Sequence, residues 1–260
     1  MVQPNPKTPY LSNRENKPHP TVSYPITSAL LKPGHYFHLQ QRSTEAVPVL
    51  FREPTDYAYF LKNLAQSSDC LQVIAYALLP DHYHLIVRFR SLSTILKIWE
   101  AEDKPLSRSI IRSLPVPPPG RTGEVPVSFL HSLPKHVREI AAGYYLSRRF
   151  GVVLNRYSSY VGRKYEEFGT VFQRPFRRRI LEEEVLPALI VYLHRNSRHH
   201  RVEYDYEQYA HSSYRSFLSG APTALDRDFV LQLFGGQEEF LRRHRRYEPN
   251  REHWWRFVVE

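Results

Sequence analysis

Hydrophobic and polar residues change rhythm several times along this chain, and each rhythm predicts an element. Residues 35–43, HYFHLQQRS, alternate enough to predict a strand. In PTDYAYFLKNLAQSS, Tyr57, Phe60, Leu61 and Leu64 recur at helical spacing, and Thr55 or Asp56 can cap the start. LQVIAYALLP (71–80) reads as a strand, Pro80-Asp81 as a turn, and HYHLIVRFR (82–90) as a strand paired back on the one before. The order so far is strand, helix, strand, strand. Residues 91–103 predict a short helix.

PVPPPGRTGEVPVS (115–128) interrupts the pattern with five prolines and two glycines, and predicts a long loop inserted in the domain at about 104–130. From Pro134 to about Tyr165 the helical period returns, with Gly143 and Gly151 placed to kink or divide it. A turn at Gly169 then feeds a strand at 176–181. EEEVLPALIVYLHRNSRHH is the next helix: Glu182, Glu183 and Glu184 suit its N-terminal dipole, and Arg195 and Arg198 its C-terminus. LDRDFVLQLFGG predicts a capped helix stopped by two glycines, and QEEFLRRHRRYEP a second, basic one. Residues 1–33 are Pro- and Asn-rich without periodicity, which predicts a flexible arm. The organisation expected is an arm (1–33), one domain (34–220) and a basic helical extension (221–260).

Composition adds a partner class. The net charge is +10, carried by 28 Arg against 8 Lys. Guanidinium groups clamp phosphates bidentately and stack on bases, which an ammonium cannot do. Residues 148–201 hold 12 Lys/Arg against 5 Asp/Glu and interleave them with Tyr, Phe and His, the pattern of a nucleic-acid surface. Arginine-favouring codon usage is the competing explanation of the composition. A single cysteine, Cys70, excludes an internal disulfide and a cysteine-based zinc site. No stretch approaches a membrane span and the N-terminus lacks an apolar signal region, so a cytoplasmic protein without membrane contact is expected.

Two places carry chemistry. His82 and His84 sit at i and i+2 of a predicted strand, so both imidazoles project from one face and can reach one metal ion. With 13 His in 260 residues, chance alone supplies about 0.65 such triplets, so two histidines on a half-exposed strand explain the pair equally well. On the helix 185–198, Tyr192 and Asn196 are one turn apart on one face. Packed across the sheet, that helix brings an amide oxygen and a phenol towards the imidazoles. Mixed nitrogen and oxygen ligation suits Mg²⁺ or Mn²⁺ carrying a phosphate oxygen, with the tyrosine attacking phosphorus. For Tyr192 alone, one of 18 tyrosines, a place in the core is the plainer reading.

At YALLPDHYHLIVRF the chain resembles the His-hydrophobic-His strand of the single-tyrosine HUH transposases, of REP-associated or insertion-sequence type. PGHYFHLQQRS with VPVLFREPTDYAYFLKNL resembles that family's first strand and helix, and LNRYSSYVGRKYEEFGTVFQRPFRRRI its Tyr-rich helix, turn and following strand. YLHRNSRHHRV resembles its Tyr-Ile-His-x-Asn-Pro helix end, YAHSSYRSFL its Trp-Ser-Ser-Tyr stretch, and LDRDFVLQLFGGQEEFLRRH the extension of the REP-associated subfamily. The resemblance covers roughly residues 35–245, interrupted by the Pro-rich insert. It implies an α+β, ferredoxin-like (RRM-like) antiparallel sheet with helices packed on it and a helical C-terminal extension. It further implies that His82, His84 and Asn196 bind the metal, and that Tyr192 forms a 5′-phosphotyrosine link to single-stranded or hairpin DNA in a monomer or homodimer. Arg174, Arg177, Arg178 and Arg179 are candidate DNA contacts on charge alone. Three departures from the family pattern stand near the site: Ser197 in place of Pro, Tyr83 in place of an aliphatic residue, and Asp81 in place of Asn. The alternatives are a non-catalytic RRM-like nucleic-acid-binding protein, as in a domesticated copy, and a phosphoesterase using water with Tyr192 in the core.

Overall fold

The computed structural model describes residues 30–114 and 125–246. Its centre is a four-stranded antiparallel sheet formed by β1 (Tyr36–Arg42), β2 (Leu71–Leu79), β3 (His82–Phe89) and β4 (Arg177–Leu181), in the order β2-β3-β1-β4. Between β1 and β2 runs α1 (Pro54–Ala65), and β2 turns directly into β3. That order and connection make an α+β, ferredoxin-like sheet, with β1 and β3 at its centre. The register sets Gln40 opposite His84 and Arg42 opposite His82 on one side of β1, and Gln40 opposite Arg177 on the other.

Strand alternation divides the core in two. Phe37, Leu39, Tyr83, Leu85 and Val87 face α1 and the long helix α4 (Lys135–Tyr165). The shorter α2 (Leu92–Ala101) and α3 (Arg108–Ser113) join this layer. On the opposite face Tyr36, Ala75, Ala77, Leu79 and Ile86 pack under α5 (Leu186–His199). The helices α6 (Tyr214–Leu218), α7 (Arg227–Phe234) and α8 (Gln237–Arg245) close around α5. The free edge of β2 is partly covered by residues 211–213, through Leu78 N–H to His211 O at 2.9 Å and Ser213 N–H to Tyr76 O at 3.0 Å.

Several local expectations change. The first residue of α1 is Pro54, and Glu53 occupies the cap. Asp56 reaches back from the first turn to accept from Arg52 N–H (2.8 Å) and Glu53 N–H (3.1 Å), so it acts from inside the helix. Neither Gly143 nor Gly151 breaks α4, which runs unbroken for 31 residues. A side chain at Gly143 would overlap Leu31 O and the Leu30 side chain, so this glycine admits a close approach. Leu31 is fully buried there, inside the stretch expected as a free arm; residues 1–29 of that arm lie outside the described residues. The ends of the Pro-rich insert are folded as well. Leu106, Ile110, Leu114, Val125 and Val127 are buried, and Leu106 N–H bonds Val125 O at 2.7 Å. Its centre, 115–124, lies outside the described residues. Asp226 accepts from Phe229 N–H at the start of α7, and Gly235 ends it at φ +81°.

Candidate active site

The histidine-bearing face of the sheet is polar where β1 and β3 meet. His82 and His84 project from it because they share a strand parity, and their rings stand edge to face at 5.1 Å between centroids. From β1, His38, Gln40 and Arg42 have the same parity and join them. His38 Nε2 lies 2.9 Å from His84 Nδ1, and Asp81 Oδ1 lies 2.6 Å from His82 Nδ1. Each imidazole is therefore held through Nδ1, which aims Nε2 away from its holder.

The helix above contributes a stripe. Tyr192 stands edge to face with His84 at 6.2 Å, and His200, just past the helix end, with His82 at 4.5 Å. Residues 192, 196 and 200 follow one another at i+4, so Asn196 lies on the stripe between the two anchored rings. The structure thus brings His82, His84, Tyr192 and Asn196 to one interface, from segments more than 100 residues apart. All four are closed off from solvent, with 0%, 1%, 1% and 0% of their surface exposed.

What distinguishes this interface is the polar atoms it leaves open. His82 Nε2, His84 Nε2, both amide atoms of Asn196 and of Gln40, Arg42 Nε and Arg177 Nη1 are buried without a hydrogen-bond partner. An unpaired buried polar group costs about 1–3 kcal/mol, so such a concentration at one place is a polar pocket inside the packing, where water or a ligand would meet these atoms. Burial, followed by the nearness of His82 and His38, holds His84 well below the ordinary imidazole range and so neutral, the form that ligates a cation. Burial and then His82 likewise lower His200, to about 3. Burial pushes the Asp81 carboxyl up, but the His82 N–H and the charges of His82 and Arg42 outweigh it and hold it below its usual value.

The four candidate arginines divide by strand parity. Arg177 and Arg179 face the histidine side; burial, then the neighbouring Arg42, lowers the Arg177 guanidinium. Arg178 points to the opposite face, where Arg174 also lies, beside α4. The family departures fall into place by the same geometry. Tyr83 turns away from the histidines, its hydroxyl donating to Gln41 Oε1 at 3.3 Å, so its bulk is outside the site. Asp81 orients His82. Ser197 remains buried, and its carbonyl accepts from Val202 N–H at 2.8 Å to turn the chain after α5.

Sequence reasoning missed His38, Gln40, Arg42 and His200 as members of this cluster. The signal existed: 38, 40 and 42 are the polar positions of an alternating strand, and 200 continues the i+4 series from Tyr192. Among the described residues no group of three or more His, Cys, Asp or Glu side chains converges as a metal site. No helix among the described residues is long and apolar enough to cross a membrane.

No protein-family model matches the chain, and no curated relative does. Among solved structures, the chain is similar to a REP-associated tyrosine transposase bound to a REP hairpin, at 12% identity and a TM-score of 0.43, over 76% of this chain and 91% of that one.

Proposed function

We propose that this protein cleaves and rejoins single-stranded DNA through a tyrosine linkage, as a transposase does, with a divalent cation at the histidine face. The observation that carries this reading is the convergence of open polar atoms: two imidazole Nε2, two carboxamides and two guanidinium N–H groups, beside a tyrosine, closed off from bulk solvent. An uncharged structural core has no use for that set. His82, His84 and Asn196 fit a cation such as Mg²⁺ or Mn²⁺ as two nitrogen ligands and one oxygen ligand. When bound, the cation supplies charge withdrawal from a non-bridging phosphate oxygen.

The chain's own residues do the rest. Asp81 accepts the His82 Nδ1 proton and so fixes the tautomer with its Nε2 lone pair open. His84 gains the same form by donating Nδ1–H to His38. Arg42 and Arg177 offer N–H groups to the phosphate charge that grows as phosphorus becomes five-coordinate. Tyr192 Oη attacks phosphorus, the P–O3′ bond breaks as the P–Oη bond forms, and the phenolic proton passes through water to the departing 3′ oxygen. The products are a 5′-phosphotyrosine and a 3′-hydroxyl. The 3′-hydroxyl can attack the phosphotyrosine and reverse the step, which rejoins strands. Because Tyr192 is closed off from solvent, the DNA has to part α5 from the sheet locally to reach it.

The test is incubation with labelled single-stranded hairpin DNA and Mn²⁺, then denaturing electrophoresis. The expected result is a protein–DNA adduct with the wild type and none with His82→Ala/His84→Ala. Cleavage into two free ends without an adduct would identify a water-using phosphoesterase. Binding with no cleavage across a broad set of hairpins would leave a non-catalytic nucleic-acid-binding protein.

A further inference from the structure

A concave place lies on the opposite face of the sheet. Between α4 and residues 170–178 lies a cavity of about 530 Å³, bordered by Gln41, Gly151, Asn155, Phe172 and Phe176, with Arg174 and Arg178 on its wall. That volume is within the roughly 300–1,000 Å³ of small-molecule sites. Two arginines line it, and no Asp or Glu does. The Arg178 guanidinium lies over the Phe176 ring, 4.9 Å from its centroid, which joins a cation to an aromatic face at one point.

Gly151 keeps the cavity open. It sits in the interior of α4, where glycine is a poor helix former, and a Cβ built on it meets nothing within 4 Å. Packing therefore does not demand glycine here, in contrast to Gly143 on the same helix. A large side chain at 151 would enter the space instead.

The cavity also has a continuation. On the other flank of α4 a hollow of about 310 Å³ is bordered by Tyr59, Val152, Asn155, Arg156, Ser159 and Arg163. It too is lined by two arginines and no acid, and Tyr59 there is stacked on Tyr160 at 3.9 Å. Asn155 borders both spaces, so they adjoin across the helix. A single small anion fits one basic aromatic hollow. Two adjoining ones, each pairing arginine with an aromatic ring, fit a polymer that repeats a phosphate and a flat base.

We propose that the cavity beside Gly151 takes one unpaired nucleotide of single-stranded DNA, its base stacked on the Arg178 guanidinium where that lies over Phe176 and its phosphate on Arg174, and that the strand continues across α4 to Arg156 and Arg163. This rests on the reading that the partner is single-stranded DNA, and it assigns Arg174 and Arg178 to holding the strand away from the histidine face.

The test is fluorescence anisotropy of the full chain with a labelled, non-self-pairing DNA of about 20 nucleotides, single-stranded and as a blunt duplex. Gly151→Trp fills the cavity and Arg178→Gln removes its cation. Gly151→Ala adds only a methyl group where nothing lies within 4 Å. The expected result is a loss of roughly tenfold or more in single-strand affinity for Gly151→Trp and Arg178→Gln. Duplex affinity should hold in all variants, and single-strand affinity should hold in Gly151→Ala. Wild-type single-strand affinity in Gly151→Trp overturns the pocket and leaves the cleavage reading standing. Equal losses for single strand and duplex also overturn it, since the effect would not depend on an unpaired base. If the wild type binds neither DNA, the pocket and the cleavage reading both fall.

Discussion

Asp81 stands beside the site and governs it through one proton. Its carboxylate accepts from His82 Nδ1 at 2.6 Å, and about half of its side-chain surface is exposed, so replacing it disturbs little packing. Asp81→Ala is expected to weaken Mn²⁺ binding about 10- to 100-fold, measured by titration calorimetry, with an unchanged circular dichroism spectrum. Unchanged affinity would remove Asp81 from the site. The His82/His84 pair was legible from spacing because strand parity is a two-residue rule. What spacing could not supply was whether anything faced them. His38, Gln40 and Arg42 have the same parity on β1, but only the register of β1 against β3 sets them opposite His84 and His82. Register is a long-range property, and the local pattern of one strand does not contain it.

Helix α4 shows how one residue type serves opposite ends within one element. Gly143 sits against Leu30 and Leu31, and Gly151 faces open space. Gly143→Ala is expected to destabilise the fold by about 1–3 kcal/mol, because backbone as well as side chain must move. Gly151→Ala is expected to stabilise it by about 0.8–1 kcal/mol through helix propensity. Urea denaturation of both variants checks the pair, and a destabilised Gly151→Ala would mean that the cavity cannot take a methyl group. From sequence the two glycines look alike, as two candidate breaks, since only tertiary contact tells them apart. The strands and helices with sustained period were readable, with most ends shifted by a residue or two; α5 starts at Leu186, and the acidic residues before it form a short 3₁₀ turn instead of its first turn. The folded ends of the insert were not, because α3 is six residues long and is held by burial of Ile110 rather than by any period of its own. Parity alone sets Arg178 apart from Arg177 and Arg179, but charge grouped all four candidates together.

At the scale of the whole molecule, the C-terminal helices are tied to α5 by a buried relay with one consistent set of protons. His244 Nδ1–H donates to Phe240 O (2.7 Å), His194 Nδ1–H donates to His244 Nε2 (2.8 Å), and Ser213 Oγ–H donates to His194 Nε2 (2.8 Å). Ser213 Oγ accepts in turn from Tyr76 N–H of β2 at 2.9 Å. Burial takes His244 down to about 3, although its bond to the Phe240 carbonyl acts the other way. The unfolded chain binds this proton below about pH 6.5, while the folded chain refuses it until about pH 3. The stability contributed by neutral His244 is thus complete above about pH 6.5 and is lost as pH falls towards 3, at up to about 1.4 kcal/mol per pH unit. His244→Leu is expected to be less stable at pH 7 and to lose less stability between pH 6 and 4 than the wild type, by chemical denaturation at each pH. Parallel slopes would contradict the relay. The same packing keeps α5 over the sheet, and with it Tyr192 over His84. The most direct test of that pairing is to trap the protein with labelled single-stranded hairpin DNA and Mn²⁺, digest the adduct and map it by mass spectrometry. A nucleotide joined through phosphate to Tyr192, and no adduct from a folded Tyr192→Phe variant, is the predicted result. A nucleotide on any other residue, or an adduct that survives Tyr192→Phe, would contradict it.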